Sequence, residues 1–176
     1  MGRSRYKIYE THYPYFITSS CSQGISFLAD PEIAHIVLES LTYVQKEFKV
    51  SLYAYVIMHN HIHCIMMGED ISSTIKKFKS YTARRIVDYL NAGGHKLLLK
   101  KLRITDSENG EHRYRVWQEG FHPKQISNNS VMIQKVNYIH YNPVKSGFVD
   151  NTVDWRYSSS RNYEHIESLI PVTLFE

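Results

Sequence analysis

An apolar run of thirteen residues, YVIMHNHIHCIMM at positions 55–67, contains a pair of histidines separated by one residue. The run is rich in strand-forming residues, and successive side chains of a strand point to opposite faces of a sheet. His61 and His63 therefore share a face, about 7 Å apart along the strand. Two imidazoles on one face can hold a divalent metal ion. They can equally be inert, hydrogen-bonded histidines of a half-buried sheet, and the pair alone does not decide.

A second segment, VMIQKVNYIHYNPVKSGFV at positions 131–149, has the periodicity of an amphipathic helix. Met132, Val136 and Ile139 recur at helical spacing and predict a buried stripe. Tyr138 and Asn142 are neighbours one turn apart on a separate polar face. That face carries Gln134, Tyr138, Tyr141, Asn142 and Lys145. An ordinary surface helix can carry the same residues, so this segment gains meaning only together with the histidine pair.

Together these segments resemble the single-tyrosine HUH transposases, where HUH denotes histidine, a hydrophobic residue and histidine. Within that family the chain is most similar to the REP-associated tyrosine transposases, which bacterial genomes encode beside short palindromic repeats. The matching segments follow the family order over nearly the whole chain. They are YFITSS (15–20), VIMHNHIH (56–63), VWQEGFH (116–122), VNYIHYNPVKSGFV (136–149) and WRYSSSRNY (155–163).

The resemblance implies that Tyr138 is the nucleophile, which attacks a phosphorus of single-stranded DNA, forms a 5′-phosphotyrosine bond and releases a 3′-hydroxyl. A free phenol has a pKa of about 10, so it needs a metal ion or a nearby positive charge. The resemblance makes His61 and His63 metal ligands, with Asn142 as a polar third ligand. An oxygen ligand added to two imidazoles tolerates Mg²⁺ or Mn²⁺, and the ligand types alone fit Zn²⁺ or Mn²⁺ just as well. The choice of Mg²⁺ is what the resemblance implies.

Two positions complicate the match. His59 stands where family members often carry proline, and strand alternation would place it on the face of His61 and His63. The chain also has to reverse near this point, where Asn60 tolerates a left-handed turn, so we favour a turn residue over a third histidine ligand. Tyr141 lies near the face of Tyr138 and is a rival phenol, although only Tyr138 has the family's spacing to Asn142.

The predicted elements follow the order strand, helix, strand, strand, helix, strand. We place strands at 13–19, 51–58, 61–67 and near 116–120, and helices at 31–48 and 71–91. This order indicates an α+β, ferredoxin-like or RRM-like antiparallel sheet with helices packed on one face. The tyrosine-bearing helix is separate, and the other face of the sheet is expected to lie open beside the histidines. Residues 1–176 are expected to form a single domain with a wrapping tail from Trp155 onward.

Two basic features are candidates for DNA binding. One is the second helix, whose cations either contact phosphates or form a solvated face; they are Lys76, Lys77, Lys79, Arg84 and Arg85. The other is a hairpin insertion near 97–117, in which KLRIT and RYRVW alternate around a turn, DSENGEH, at 106–112. The alternation predicts one basic face on this ribbon, formed by Lys101, Arg103, Arg113 and Arg115.

Composition agrees with this interpretation without revealing it. A net charge of +4 favours a polyanionic partner. Cys21 and Cys64 are too few and too isolated for a disulfide scaffold or a zinc ribbon. No apolar segment has the roughly 20 residues that span a bilayer, and the first residues lack the apolar run of a secretory signal. We expect a cytoplasmic protein without a membrane partner.

The sequence therefore predicts a DNA transposase that cleaves and rejoins single-stranded DNA beside a hairpin or palindromic repeat. An alternative of another class is a domesticated, catalytically idle descendant that binds hairpin DNA as a regulatory protein. Intact His61, His63 and Tyr138 count against such decay. A third alternative is a metal-dependent phosphodiesterase that activates water and forms no covalent intermediate. Whether the chain acts as a monomer or a homodimer is left open.

Overall fold

The computed structural model describes residue 8, residues 10–105 and residues 112–175. The strands are β1 (Tyr15–Ser20), β2 (Ser51–Ile57), β3 (His61–Met67), β4 (Arg103–Thr105), β5 (His112–Tyr114) and β6 (Lys124–Gln125). The helices are α1 (Pro31–Glu47), α2 (Ile71–Ala92), α3 (Lys96–Leu102), α4 (Asn129–Lys145) and α5 (Ser160–Tyr163). Four strands form an antiparallel sheet in the order β2-β3-β1-β6, while β4 and β5 form a separate ribbon. The predicted α+β class and its sheet with packed helices are confirmed.

The first face of the sheet packs against α1 and α2 around the larger hydrophobic core. Alternation directs Ile62, Cys64 and Met66 of β3 into this core. Helix α1 begins where the sequence predicts, because the Asp30 side chain accepts a hydrogen bond from the Glu32 amide and Pro31 occupies the first turn.

Helix α4 covers much of the second face, which the sequence had suggested was open. Its apolar stripe of Met132, Val136 and Ile139 packs with side chains of β1, β2 and β3 in a second core. The Asn128 side chain caps the helix by accepting from the Val131 amide. An amphipathic helix must bury its apolar stripe, and this half of the sheet is the apolar surface that receives it.

The predicted strand at 116–120 is wrong. Val116 and Trp117 are both buried, so the side chains do not alternate, and only an isolated bridge joins Trp117 to Cys21. Gly120 then adopts a positive φ of 71°, which ends any extended run. The sheet is completed instead by β6, which pairs with Tyr15 and Phe16 of β1.

The basic ribbon differs from its prediction in two ways. Lys101 lies in α3, a helix that the alternating pattern had concealed. In the ribbon, Arg103 lies opposite Tyr114 and Arg113 lies opposite Ile104. Directly opposed residues share a face, so Arg103 and Arg113 point to opposite faces and the predicted single basic face is not formed. Most of the predicted DSENGEH turn falls at 106–111, outside the described residues.

The tail runs along the outer edge of β2. Ile57 donates its amide to the Tyr157 carbonyl, Ser159 donates to the Tyr55 carbonyl, and further on Thr173 donates to the Leu52 carbonyl. These bonds occupy an edge strand that would otherwise expose unpaired groups. No helix in the described part of the chain is long and apolar enough to cross a membrane.

Candidate active site

The histidine pair lies on the second face of the sheet, at the end of β3 where the strand begins. His63 is almost completely buried and lies opposite Thr18 of β1, whereas His61 is half-buried. The two ring centroids are 4.8 Å apart, with planes at 71°. Alternation along β3 therefore brings the imidazoles together on one face, as the sequence predicted.

Each imidazole is oriented through its Nδ1 atom. His63 Nδ1 lies 2.8 Å from the Thr18 hydroxyl oxygen, and His61 Nδ1 lies 2.8 Å from the Asn60 side-chain oxygen. The amide nitrogen of Asn60 donates to the Gly24 carbonyl, which directs its oxygen toward His61. An amide oxygen only accepts, so His61 carries its proton on Nδ1 and keeps the Nε2 lone pair. An oxygen on Nδ1 that fixes the tautomer is the arrangement typical of metal-binding histidines.

Both imidazoles are held in the neutral form. The pKa of His63 is lowered to about 3, mainly by burial and also by the positive charges of His61 and Lys135. Burial also lowers the pKa of His61. Metal ligation needs neutral imidazole, so the pair fits a divalent ion without a proton having to leave first.

Helix α4 places Tyr138 directly beside this pair. Its ring centroid is 5.4 Å from that of His63 and 5.8 Å from that of Phe16, and the phenol is 44% exposed. Lys135, one turn earlier on the helix, brings its ammonium 5.8 Å from the centroid of the Tyr138 ring. The predicted nucleophile is thus accessible to DNA and close to a cation. Tyr141 is 57% exposed and makes no ring contact with the described residues.

Asn142 follows Tyr138 by one turn of α4 and is half-buried. Its carboxamide makes no hydrogen bond within the described part of the chain, so its oxygen is uncommitted. Among the described residues no group of three His, Cys, Asp or Glu side chains could hold a metal ion. A third ligand from these residues would therefore be of another type, and a carboxamide oxygen suits Mg²⁺ or Mn²⁺. The roles of Tyr138 and Asn142 remain predictions.

His59 is a turn residue, as expected. The chain reverses between β2 and β3 with the Met58 amide donating to the His61 carbonyl. The His59 ring packs against Phe148 at 4.3 Å and Trp155 at 5.6 Å between centroids. It therefore joins the turn to the segment that follows α4.

The basic residues of α2 divide into two groups. Lys79 donates to the carbonyls of Gln118 and Gly120, and burial lowers its pKa to about 8. Its ammonium holds the loop before Phe121, and phosphate contact by Lys79 stays a prediction. The other four basic side chains of the helix are exposed: Lys76, Lys77, Arg84 and Arg85.

The cations near the ribbon are exposed but dispersed. Arg115 pairs with Glu119 at 3.0 Å. Lys101 lies on α3, and its backbone carbonyl accepts a hydrogen bond from the side-chain amide of Gln23. Phosphate binding by Lys101, Arg103, Arg113 and Arg115 stays a prediction, since their arrangement offers no single surface to one strand.

Sequence reasoning missed three residues of the site. Thr18 and Phe16 come from β1, and only the register of β1 against β3 brings them to His63. Lys135 could have been found, because it precedes Tyr138 by three residues in a predicted helix and therefore shares its face.

Comparison with known proteins gives consistent results. The sequence model of the IS200-like transposases matches residues 16–142, more than half of the chain. A Haemophilus influenzae protein described as a REP-associated tyrosine transposase is 30% identical over 104 residues, which are 58% of this chain and 54% of that protein. The chain thus spans about half the length of this curated relative.

One solved structure shares the architecture of this chain. A REP-associated tyrosine transposase bound to a REP hairpin matches with a TM-score of 0.68 at 21% identity, over 99% of this chain and 95% of the other. A structure described as a transposase from Deinococcus radiodurans has a TM-score of 0.48 at 19% identity, over 77% and 94% of the two chains.

The antiparallel sheet with packed helices is a fold that this chain shares with a solved REP-associated tyrosine transposase. The chain belongs to the family of IS200-like transposases. The resemblance to REP-associated tyrosine transposases is confirmed by the curated relative and by the first of these structures.

Proposed function

We propose that this protein cleaves and rejoins single-stranded DNA beside a hairpin through a covalent bond to Tyr138. The observation that carries the proposal is the contact between the Tyr138 ring and His63, 5.4 Å between centroids, beside two neutral imidazoles. The hairpin is taken from the description of the related structure, which names a REP hairpin as its ligand.

In the cleavage step the phenolic oxygen of Tyr138 attacks the scissile phosphorus. The phenol gives up its proton, the bond between phosphorus and the 3′ oxygen of the preceding nucleotide breaks, and that oxygen takes up a proton to give a 3′-hydroxyl. The downstream segment stays linked through its 5′-phosphate to Tyr138, as a phosphodiester. Rejoining reverses the step, with a 3′-hydroxyl as the attacking group and the phenol as the leaving group.

The side chains around Tyr138 have separate tasks in this step. Thr18 and Asn60 orient the imidazoles of His63 and His61, which would hold a divalent ion together with the Asn142 oxygen. Such an ion, Mg²⁺ or Mn²⁺, would supply positive charge at the scissile phosphate. Lys135 lies close enough to Tyr138 to offset negative charge that develops on the phenol or the phosphate.

The test is formation of a covalent adduct. The protein is incubated with Mg²⁺ or Mn²⁺ and a labelled single strand that carries a hairpin, and the products are separated on a denaturing gel. Tyr138→Phe removes one oxygen and should abolish the adduct while hairpin binding persists. Tyr141→Phe is the matched control and should retain it.

Each other outcome has a defined meaning. An adduct that persists in Tyr138→Phe and disappears in Tyr141→Phe contradicts the choice of phenol. Hairpin binding without any cleavage by the unmodified protein, with either metal ion, indicates an idle DNA-binding descendant.

A further inference from the structure

A cleft between α1 and α2 lies on the opposite side of the sheet from Tyr138. It encloses about 300 Å³ near the end of α1. Four of its lining residues come from α1 and the residue after it, and three from α2: Ser40, Tyr43, Val44, Phe48, Lys77, Phe78 and Tyr81. We refer to it as the aromatic cleft. Nothing in the proposed cleavage step uses these residues.

The rings of the aromatic cleft are exposed to an unusual degree. Tyr43 is 55% exposed and Tyr81 is 51% exposed, whereas Phe78 beneath them is buried and belongs to the core. The two tyrosine rings are nearly parallel, with planes at 14° and centroids 6.5 Å apart. A planar guest that stacks on one ring therefore lies almost parallel to the other as well. Tyrosine pairs that face solvent around a cavity are typical of binding surfaces.

Cations accompany these rings along one stripe of α2. Lys77, Tyr81 and Arg85 are spaced four residues apart, so they share a face. Lys77 places its ammonium 4.7 Å from the centroid of the Phe48 ring. Arg85 donates to the Tyr81 hydroxyl at 2.8 Å, with its guanidinium carbon 5.8 Å from the centroid of that ring. The stripe thus alternates positive charge with an aromatic plane.

The surrounding charge selects among occupants. Arg84 is also exposed on this side of α2, close to Tyr81 on the helix. Carboxylates lie nearby as well: Glu47, Glu69 and Asp70 line the neighbouring groove with Lys77, and Glu39 and Asp88 line a groove with Arg85. An apolar peptide would gain from the rings but not from the three cations beside them. A nucleotide gains from both, because its base stacks on aromatic rings and its phosphate pairs with the cations.

We propose that the aromatic cleft binds an unpaired nucleotide of single-stranded DNA. The base stacks on Tyr43 and Tyr81, and the flanking phosphate is contacted by Lys77 and Arg85. Recognition does not depend on base identity, because every base presents a π face. The choice of DNA as the ligand rests on the proposed function, but the cleft itself is separate from Tyr138 and can be tested without cleavage.

The test measures how tightly the protein binds a single-stranded oligothymidylate of twelve nucleotides, which contains one 2-aminopurine and forms no hairpin. All proteins carry Tyr138→Phe, so that no strand is cleaved. Tyr43→Leu with Tyr81→Leu keeps apolar packing and helix propensity but removes both rings. Tyr43→Phe with Tyr81→Phe is the matched control, because it keeps the rings. Circular dichroism and urea midpoints establish that both double variants are folded.

The leucine variant should bind the oligonucleotide roughly 5- to 150-fold more weakly, the range for loss of one base–aromatic stack. It should also lose the quenching of 2-aminopurine fluorescence, which stacking causes. The phenylalanine variant should retain quenching and keep affinity within about threefold. Affinity for a blunt duplex should be equal in all proteins, because paired bases cannot enter the cleft.

Three results would overturn the proposal. Equal oligonucleotide affinity in the leucine variant means that no base stacks there. An equal loss for blunt duplex means that the cleft reads no unpaired base. Self-association that is lost in the leucine variant, with oligonucleotide affinity unchanged, makes the cleft an interface between copies of this chain.

The result can be separated from the proposed cleavage. The leucine double variant with Tyr138 restored should still form the covalent adduct on hairpin DNA at saturating concentration. If the protein with both cleft tyrosines intact forms no adduct, the proposal that Tyr138 cleaves DNA is contradicted. The oligonucleotide measurements still show whether the aromatic cleft binds an unpaired nucleotide.

Discussion

His140 should make the tyrosine helix sensitive to acid. This buried side chain of α4 places Nε2 2.8 Å from the Ser159 hydroxyl oxygen, and Ser159 in turn bonds the backbone of Tyr55 in β2. It therefore joins the helix that carries Tyr138 to the edge of the sheet. Burial lowers the pKa of His140 from 6.5 to about 4.

The sign and size of the effect follow from proton linkage. The unfolded chain binds this proton at a higher pH than the folded chain, so the free energy of unfolding falls as the pH drops from about 7 to about 4. The two pKa values of His140, 6.5 and about 4, correspond to about 3 kcal/mol when the loss is complete. Between pH 7.5 and pH 5 the same values give a loss of about 2 kcal/mol.

The substitution His140→Gln keeps a hydrogen-bonding side chain but removes the titration. Urea unfolding, followed by tryptophan fluorescence at pH 7.5 and pH 5, should show about 2 kcal/mol less acid destabilisation in this variant than in the unmodified protein. Some acid destabilisation remains, because the pKa values of His61 and His63 are also lowered.

The matched control is Ser159→Ala, which removes the hydrogen-bond partner and leaves the imidazole. It should lose about 1 kcal/mol at both pH values and keep the full acid destabilisation, because burial is the cause of the low pKa. Equal acid destabilisation in His140→Gln and the unmodified protein would refute the reasoning.

Four further substitutions test the candidate active site and the basic helix. Thr18→Val removes the hydroxyl beside His63 and should lower Mn²⁺ affinity by roughly 10- to 100-fold in calorimetry; unchanged affinity would make Thr18 irrelevant to ligation. His61→Ala or His63→Ala should eliminate cleavage while changing hairpin affinity little, since phosphate contacts dominate binding; cleavage that persists would make the histidines structural. Lys79→Met should destabilise the fold by about 1–3 kcal/mol but leave the salt dependence of hairpin affinity unchanged. A reduction in the log–log salt slope of about 0.7–0.9 would instead show that Lys79 contacts a phosphate.

The sequence predicted the parts of the fold that local patterns determine. Alternation at 61–67 placed both histidines on one face, and helical spacing placed Tyr138 above Asn142. Capping residues such as Asp30 fixed where helices begin. These features depend on residues that are close in the chain.

The incorrect predictions depend on distant contacts. Alternation at 101–117 suggested two long strands, but Leu102 is buried as the last residue of a short helix and Trp117 donates its indole hydrogen to Thr82 of α2. The coverage of the second face by α4 depends on which apolar surface is free to receive it. Thr18 reaches His63 only through strand register, which no local pattern in β1 reveals.

The central claim is most directly tested by locating the nucleotide on the protein. After reaction with hairpin DNA and Mg²⁺, nuclease and trypsin digestion yields the peptide VNYIHYNPVK at 136–145, which contains both Tyr138 and Tyr141. Fragmentation in a mass spectrometer should place the phosphodiester on Tyr138. A modification on Tyr141, or a cleaved strand with no modified peptide, would contradict attack by Tyr138; the latter result indicates water as the nucleophile.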